Sequence, residues 1–505
     1  MPTETWADQP PRIRVSRRSF LVATLVGAAG AMLAACSPAA APAPAKPAEP
    51  AAAPAKPAEA AKPAEDAKPA AAAQPAAAAK APNTTQPITI KFWHQESDPK
   101  SVKHVEDMAA QFKQSHPNVT VEPTVLGWAD METKLLAAHA AGSPPELVNG
   151  FNQGMAWAVG RDLVRPLDDV YAAVKARTPW HELFVEWARW DGKVWGLPWT
   201  WGTDMLLIRK DLSDQAGLKE PTTWAEWHTW AKALTTNDRY GIHLAGNAAL
   251  WFNEDVFEFV GGNGGSLWDK DGMPALVSDE MAAVLDFYKQ IQDVLPPGWL
   301  ADGYVETMNT MALGKAASAR LWGRSIGYLS QYAPADKQNP DAYKMIQMPL
   351  GPKGSVRVTQ SMDDTMVIHK NSPNPEAAAE FLSEIIYKRE NMRDFCLTVP
   401  VHLNPPITGV EDDPVYKDNA IVKKWGSWID VQNKNLTEKH ARPLFLLNET
   451  DKKIPWATDV ANAGIMGEMV TAVVSKGQSP ADAMKSGQEK AMSIVNSAKA
   501  SLKRG

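Results

Sequence analysis

The chain is 505 residues long and carries 52 Lys and Arg against 58 Asp and Glu, a formal net charge of −6. That balance argues against a broad nucleic-acid footprint, which needs a basic face. There are two cysteines, Cys36 and Cys396, and the first belongs to a leader described next, so the body has no internal disulfide. Cys396, within Asp394-Phe395-Cys396-Leu397, reads as a small buried apolar residue.

The N-terminus carries Ser16-Arg17-Arg18-Ser19-Phe20-Leu21, preceded by Arg12 and Arg14, and an apolar run from Leu21 to Ala35 follows. The run has the length of a signal-peptide core and is short for a membrane span. Paired arginines before Phe-Leu match the twin-arginine export pattern, although Sec signals also carry such pairs. Leu33-Ala34-Ala35-Cys36 resembles the lipobox of bacterial lipoproteins. The resemblance implies that residues 1–35 are a signal peptide and that Cys36 is lipidated and opens the mature chain. Residues 36–87 are nearly all Ala, Pro, Lys and Glu, with Ala-Lys-Pro-Ala-Glu recurring at Ala45–Glu49 and Ala55–Glu59. Without large apolar side chains to bury, such a segment cannot offset its ordering entropy. It is expected to be a disordered, extended tether.

About 420 residues remain, enough for two large lobes. Ile88, Ile90 and Phe92 alternate, which predicts a strand over Ile88–Trp93. Val102, Val105, Met108 and Phe112 recur at helical spacing up to Pro117, and Val119 and Val121 alternate again. The unit implies a parallel strand pair with a right-handed crossover. A second helix is predicted over Asp130–Ala141 and a further strand over Glu146–Phe151. In open α/β sheets ligands bind beyond the C-terminal ends of the strands, which draws attention to Trp93, His94 and Glu96. Downstream, Thr223 with Glu226 spells a capping box. Asn374-Pro375 and Ser479-Pro480 place capping residues before a first-turn proline. Trp224, Trp227 and Trp230, at helical spacing, read as core. Yet 20 tryptophans are present, and many sit beside glycine or proline, where flat indoles suit the apolar faces of sugar rings.

Phe112-Lys-Gln-Ser-His-Pro117 and Lys134-Leu-Leu-Ala-Ala-His-Ala-Ala-Gly-Ser-Pro144 look like the opening of family 1 extracellular solute-binding proteins, the maltose- and oligosaccharide-binding branch. Leu163–Asp169, Gly192–Pro198, Leu206–Leu212, Thr223–Trp227, Leu313–Ala317, Pro349–Gly354 and Ser479–Met484 continue the pattern in order, from about Ile88 to Ala498. The resemblance implies an α/β, two-lobed periplasmic-binding-protein fold. Two discontinuous α/β lobes are joined by hinge strands, with the ligand cleft between them. Lobe one is expected from 88–200 and 361–410, and lobe two from 201–360 and 411–505. Crossings are expected at Pro198–Asp204 and Gln360–Thr365, with a third somewhere between Val399 and Pro455.

By position in the family pattern, the cleft would draw Trp93, His94 and Glu96 from the first strand. Trp128 and Asp130 would come from the loop after Val125, Asn152 and Gln153 from the third strand's tip, and Trp201 from the hinge. Lobe two would supply Trp251, Asn253 and Glu254 after a strand over Gly241–Gly246, and Trp322 and Arg324 after a strand over Lys315–Leu321. Asp363 and Asp364 lie on the second crossing, where an extended backbone turns them to opposite faces. Trp456 opens a late helix. The implied function is capture of a sugar or oligosaccharide and its delivery to an ABC import permease. The chain would be an extracytoplasmic, membrane-anchored monomer needing no cofactor or metal. Two alternatives stay open. Glycerol phosphate or another small solute could be the ligand, since Arg320 and Arg324 are close in sequence. A secreted carbohydrate-active enzyme would need two opposed carboxylates, and no motif pairs them.

Overall fold

The computed structural model describes residues 86–127, 130–150, 155–247, 249–442 and 454–503, all within one compact unit, 73–505. Strand β1 (Ile88–His94) buries Ile90, Phe92 and His94 on one face and leaves Thr89 and Lys91 exposed. It runs parallel to β2 (Val119–Val125), with Ile88 opposite Val119 and His94 opposite Val125. The crossover is α1 (Pro99–Ser115), which turns Val105, Met108 and Phe112 inward. Asp98 caps it by accepting from the Lys100 amide at 2.9 Å, and Pro99 sits in the first turn, where a missing N–H is harmless. After α2 (Met131–Ala140) the chain forms β3 (Leu147–Asn149), parallel to β1 on its other side.

Strand β4 (Leu197–Thr203) leaves this lobe and continues through a single residue, Asp204, into β5 (Met205–Ile208) of a second sheet. There the side chains alternate between two cores: Leu206 and Ile208 face one, Met205 and Leu207 the other. The first core is filled by α3 (Trp224–Leu234), whose Trp224, Trp227 and Trp230 are all buried, and by α4 (Ala249–Gly262). The Thr223 hydroxyl accepts from the Glu226 amide while the Glu226 carboxylate accepts from the Thr223 amide, so the capping box forms. The second core is filled by α5 (Tyr304–Ala312) and α6 (Ser325–Tyr332). Strands β6 (Ser318–Leu321) and β7 (Lys344–Ile346) flank β5, both antiparallel to it. Residues 241–246, expected as a strand, make only an isolated bridge at His243, with another just before them at Tyr240. Their other amides bond elsewhere, Ile242 to the Val294 carbonyl and Gly246 to that of Asp302.

Strand β8 (Thr359–Ile368) returns to the first sheet. Its first half pairs antiparallel with β4, Ser361 opposite Thr203, and its second half pairs with β3, Met366 opposite Asn149. The first sheet therefore reads β9–β8–β3–β1–β2, with β4 also on β8 and β9 (Ala441–Arg442) at the edge. Between Val399 and Pro455 the chain passes from one lobe to the other along a helix rather than a strand. At the start of α7 (Ala420–Thr437), Val422 packs on the lobe-one core, whereas Trp425 and Trp428 fill a lobe-two core. Farther along α7, the buried Gln432 accepts from the amide of Thr203 at 3.0 Å and donates to the carbonyl of Val401 at 2.8 Å. That single amide ties the helix both to β4 and to the segment beside it. Helices α8 (Ala457–Asn462), α9 (Ile465–Lys476) and α10 (Pro480–Lys499) close lobe two. Ser479 caps α10 through the Asp482 amide, but the Asn374 side chain makes no such bond to the helix at Pro375–Glu380. Cys396 is buried in the lobe-one core, and burial pushes its thiol well above the usual range.

Candidate functional site

Between the lobes lies a cleft of about 560 Å³. Lobe two supplies one wall: Trp251 and Glu254 of α4, Tyr304 and Met308 of α5, Trp322 and Arg324 beyond β6, and Tyr328 and Tyr332 of α6. The pairs 304/308 and 328/332 are each four residues apart, which sets both members on one helix face. Lobe one supplies Gln95, Ser97 and Asp98 from the β1–α1 turn, with Val399 and His402, and Gln360 of β8 forms the floor.

The aromatic wall is ordered by its own contacts. Trp251 stacks on Tyr304 with ring centroids 4.9 Å apart. The Trp322 amide donates to the Tyr304 hydroxyl at 2.7 Å, and the Trp322 indole meets the His402 ring edge-on at 6.4 Å. Although it directly follows a lobe-two strand, Trp322 packs in the lobe-one core cluster and is 6% exposed. The next residue must be glycine for a local reason: a Cβ at Gly323 would run into the carbonyl of Val401. Arg324 then reaches across to Glu96, 3.0 Å away, whose side chain is 1% exposed. On the cleft lining, Gln360 and His402 each hold a buried polar atom with no hydrogen-bond partner among the described residues. The Gln360 Oε1 has no donor, with the residue 2% exposed, and the His402 Nδ1 has no partner, with the residue 6% exposed. Burial, and then the Arg324 charge, hold His402 well below the usual imidazole range, so it is neutral.

Beneath Glu254 is a buried cluster that joins both crossing strands to lobe two. The Arg320 guanidinium of β6 meets Asp204 at 2.6 Å and Glu254 at 2.7 Å, contacts Asp255, and lies 3.5 Å from Glu258. Glu258 accepts from the Gln360 amide at 2.6 Å, and the Asp204 amide donates to the Gln360 carbonyl at 3.1 Å. Four carboxylates thus share one guanidinium. Burial pushes Glu254 up to about 8 and Glu258 up to about 7, against the pull of Arg320. Among the described residues no group of three or more His, Cys, Asp or Glu could hold a metal ion; in this cluster Arg320 contacts all four acids.

These shifts set a pH dependence of stability. The folded chain holds protons on Glu254 and Glu258 that the unfolded chain has lost. Their contribution is full below the ordinary carboxylate pKa of 4.5 and disappears as pH rises through 7 to 8. Burial holds His94 and His369 down to about 4, below the ordinary 6.5, so their contribution is full above 6.5 and disappears as pH falls through 4. The thermal midpoint, followed from about pH 4 to about pH 9, should peak at about pH 5–6, because the carboxyl losses and histidine gains nearly cancel there and only the carboxyl loss continues above pH 6.5. A midpoint that climbs steadily to the alkaline end contradicts this.

Of the residues singled out from the sequence, the cleft brings together Trp251, Glu254, Trp322 and Arg324, with Glu96 paired to the last. Of the other described candidates, several lie elsewhere. Trp93 packs against a lobe-one core on the opposite sheet face to His94, and His94 is buried beside Phe92 at 5.2 Å. Asp130 precedes α2 and pairs with Lys134 at the surface. The Trp201 indole stacks on Phe184 and donates to the Pro405 carbonyl at 3.0 Å. Asn253 donates to the Ala461 carbonyl, joining α4 to α8. Asp364 is buried and accepts from Thr200 on the paired strand. Trp456 donates to the Gly272 carbonyl and lies under the Lys499 ammonium. Asp363 pairs with Trp201 through the backbone, and its side chain lies outside the description. Trp128, Asn152, Gln153 and Cys36 lie outside the described residues. The sequence reading did not single out Gln95, Tyr304, Tyr328, Gln360 or His402. The tyrosine pair four residues apart, just after Trp322-Gly323-Arg324, is the one local signal that pointed to the wall.

Comparison with known proteins agrees with this architecture. The family model described as bacterial extracellular solute-binding protein matches residues 98–386. A putative ABC transporter periplasmic-binding protein of Escherichia coli (strain K12) is 22% identical over 391 residues, covering 76% of this chain and 87% of that one. Among solved structures, an ABC transporter solute-binding protein from Agrobacterium radiobacter K84 in complex with ribitol superposes with a TM-score of 0.67 at 21% identity, covering 81% of this chain and 99% of the other. The maltose-bound T. maritima protein MalE3 gives 0.65 at 19%, covering 81% and 100%. Both likenesses establish the two-lobed fold.

Proposed function

Because the chain belongs to the bacterial extracellular solute-binding proteins, we propose that it captures a sugar or oligosaccharide outside the cytoplasm and passes it to the permease of an ABC importer. The cleft carries this reading. Ring faces on one wall can cover the apolar faces of a sugar, while the partnerless Gln360 and His402 atoms can meet its hydroxyls. The ribitol and maltose bound by the two solved relatives support a polyhydroxylated solute, and the description of the E. coli relative supports the transporter partner. A phosphate-bearing solute fits less well, because it would need a free guanidinium. Arg320 is shared among four carboxylates and Arg324 is engaged by Glu96. The family is one of binding proteins, so turnover is not expected. Calorimetric titration with a panel of sugars and polyols should find saturable binding with the solute recovered unaltered. Cleavage of a bound oligosaccharide, or silence across the whole panel, would sink this reading.

Closure accompanies capture in this proposal. The segments Pro198–Asp204 and Gln360–Thr365 act as the hinge, since they form the antiparallel pair that leads from one sheet to the other. Small-angle scattering should show a smaller radius of gyration at saturating solute than without it, and identical curves would mean a rigid, preformed pocket. The anchor is the second part of the proposal. If Cys36 carries the lipid, Cys36→Ser should move the protein from the membrane fraction to the soluble fraction or leave an uncleaved precursor. An unchanged membrane pool would argue for another means of attachment.

A further inference from the structure

We propose that the solute taken by this cleft carries a basic nitrogen, so that the ligand class is an amino sugar or an oligosaccharide containing one. The proposal rests on the solute-capture reading above and narrows it.

The first observation is a surplus of acidic side chains over basic ones, held in part by the protons that Glu254 and Glu258 keep. The cleft lining and the layer beneath Glu254 hold Asp98, Asp204, Glu254, Asp255 and Glu258, together with the Glu96 that engages Arg324. Against these six acids stand two guanidiniums, Arg320 and Arg324, and among the described residues no lysine lines the cleft. Arg324 is answered by Glu96, and Arg320 must serve four acids at once. Only Glu254 of those four reaches the cleft surface, so a cation can approach the cluster there.

The second observation is independent of charge. The cleft floor holds a buried acceptor with no donor. Gln360 Oε1 is buried and has no donor among the described residues. An ammonium group brings three donors and no acceptor. The third is the wall itself. Trp251, Tyr304 and Trp322 stand beside Glu254, and aromatic faces attract a cation through their quadrupole. Glu254, Gln360 and the three rings all line this one cleft.

Proton movement gives the proposal a signature. Glu254 faces Arg320 from β6, Asp255 and Glu258 from its own helix, Asp204 from the β4–β5 junction and Trp322 beyond β6, with Tyr304 and Arg324 at the mouth. It is held up to about 8 and so carries a proton at neutral pH. An arriving ammonium would favour the carboxylate form. The O–H bond of Glu254 breaks, the proton leaves to solvent, and the ion pair forms in its place.

The test compares matched pairs differing only in amine against hydroxyl: glucosamine and glucose, galactosamine and galactose, and the β-1,4 dimers of glucosamine and of glucose. Titration of the wild-type protein at neutral pH should show at least one amine binding about tenfold tighter than its hydroxyl partner. Repeating it in buffers of different ionisation enthalpy should show a net proton released on binding. Glu254→Gln should collapse the amine-to-hydroxyl ratio towards unity, whatever its absolute affinities. If that variant does not fold, the proton release of the wild type decides alone. Neutral sugars that bind as well as their amines, with no proton released, overturn this proposal and leave solute capture standing. A protein that binds no sugar of either kind overturns both.

Discussion

Replacing Arg320 by methionine should cost the fold about 3–5 kcal/mol, the range seen when one partner of a buried charged group is removed. The reason is the company it keeps. Asp204, Glu254, Asp255 and Glu258 are all buried, and each depends on the same guanidinium. Methionine preserves much of the volume but leaves four acids with no cation. The loss should appear in urea unfolding as a lower midpoint with an unchanged slope. It should shrink towards acid pH, where the carboxyls are protonated in both states. Arg324→Met should be far milder, because that side chain is a quarter exposed and has a single carboxylate partner. A loss below about 1 kcal/mol for Arg320→Met would mean the acids keep their protons without it, and that the cluster is a network of neutral hydrogen bonds.

Trp322→Ala should weaken solute binding about thirtyfold, or about 2 kcal/mol, as truncation of a central aromatic anchor does. The indole lines the cleft and is pinned by Tyr304 through its backbone amide. It does not stand free, however. It also packs in the lobe-one core cluster, so its removal loosens the contact between lobes as well. Some stability should go with it, but less than the roughly 3–5 kcal/mol that a tryptophan enclosed in a single core would cost. Measuring affinity and unfolding on the same variant separates the two roles. A variant that melts much earlier yet binds its sugar unchanged would make Trp322 a packing residue only.

What the sequence disclosed and what it withheld divides along local and non-local physics. Strand β1, helix α1 and strand β2 were legible because each carries its own period, two or 3.6, and because Asp98 and Pro117 punctuate them. The Thr223–Glu226 box was legible because it closes within four residues. The cleft was only half legible. Trp251, Glu254, Trp322 and Arg324 stood out by type and place, yet Trp201, identical in type, turns to Phe184 and the Pro405 carbonyl. Nothing within the local sequence distinguishes those two fates. Tyr304 and Tyr328 sit on amphipathic helices whose docking angle decides which face meets the cleft. His402 is placed by a backbone bridge between Trp201 and Asn404, some two hundred residues apart in the chain. The third passage between lobes was expected between Val399 and Pro455 but not placed, because that stretch is long and irregular and its passage is made by a helix docked on both lobes.

The two walls of the cleft differ in kind, and the difference has a kinetic consequence. The stacked rings all stand on lobe two, whereas lobe one brings Gln95, Ser97 and Asp98. A solute can land on the ring faces while the lobes are apart, so its arrival rate depends on one wall alone. In the proposed closure its departure requires lobe one to withdraw, and that separation would break the Glu96–Arg324 contact. Residence time is therefore set in part by an ion pair on the far side of the aromatic platform, and arrival and departure can be tuned at different residues. A receptor that must surrender its cargo to a transporter gains from that division. A transporter able to part Glu96 from Arg324 would shorten the dwell time without disturbing the surface on which capture begins.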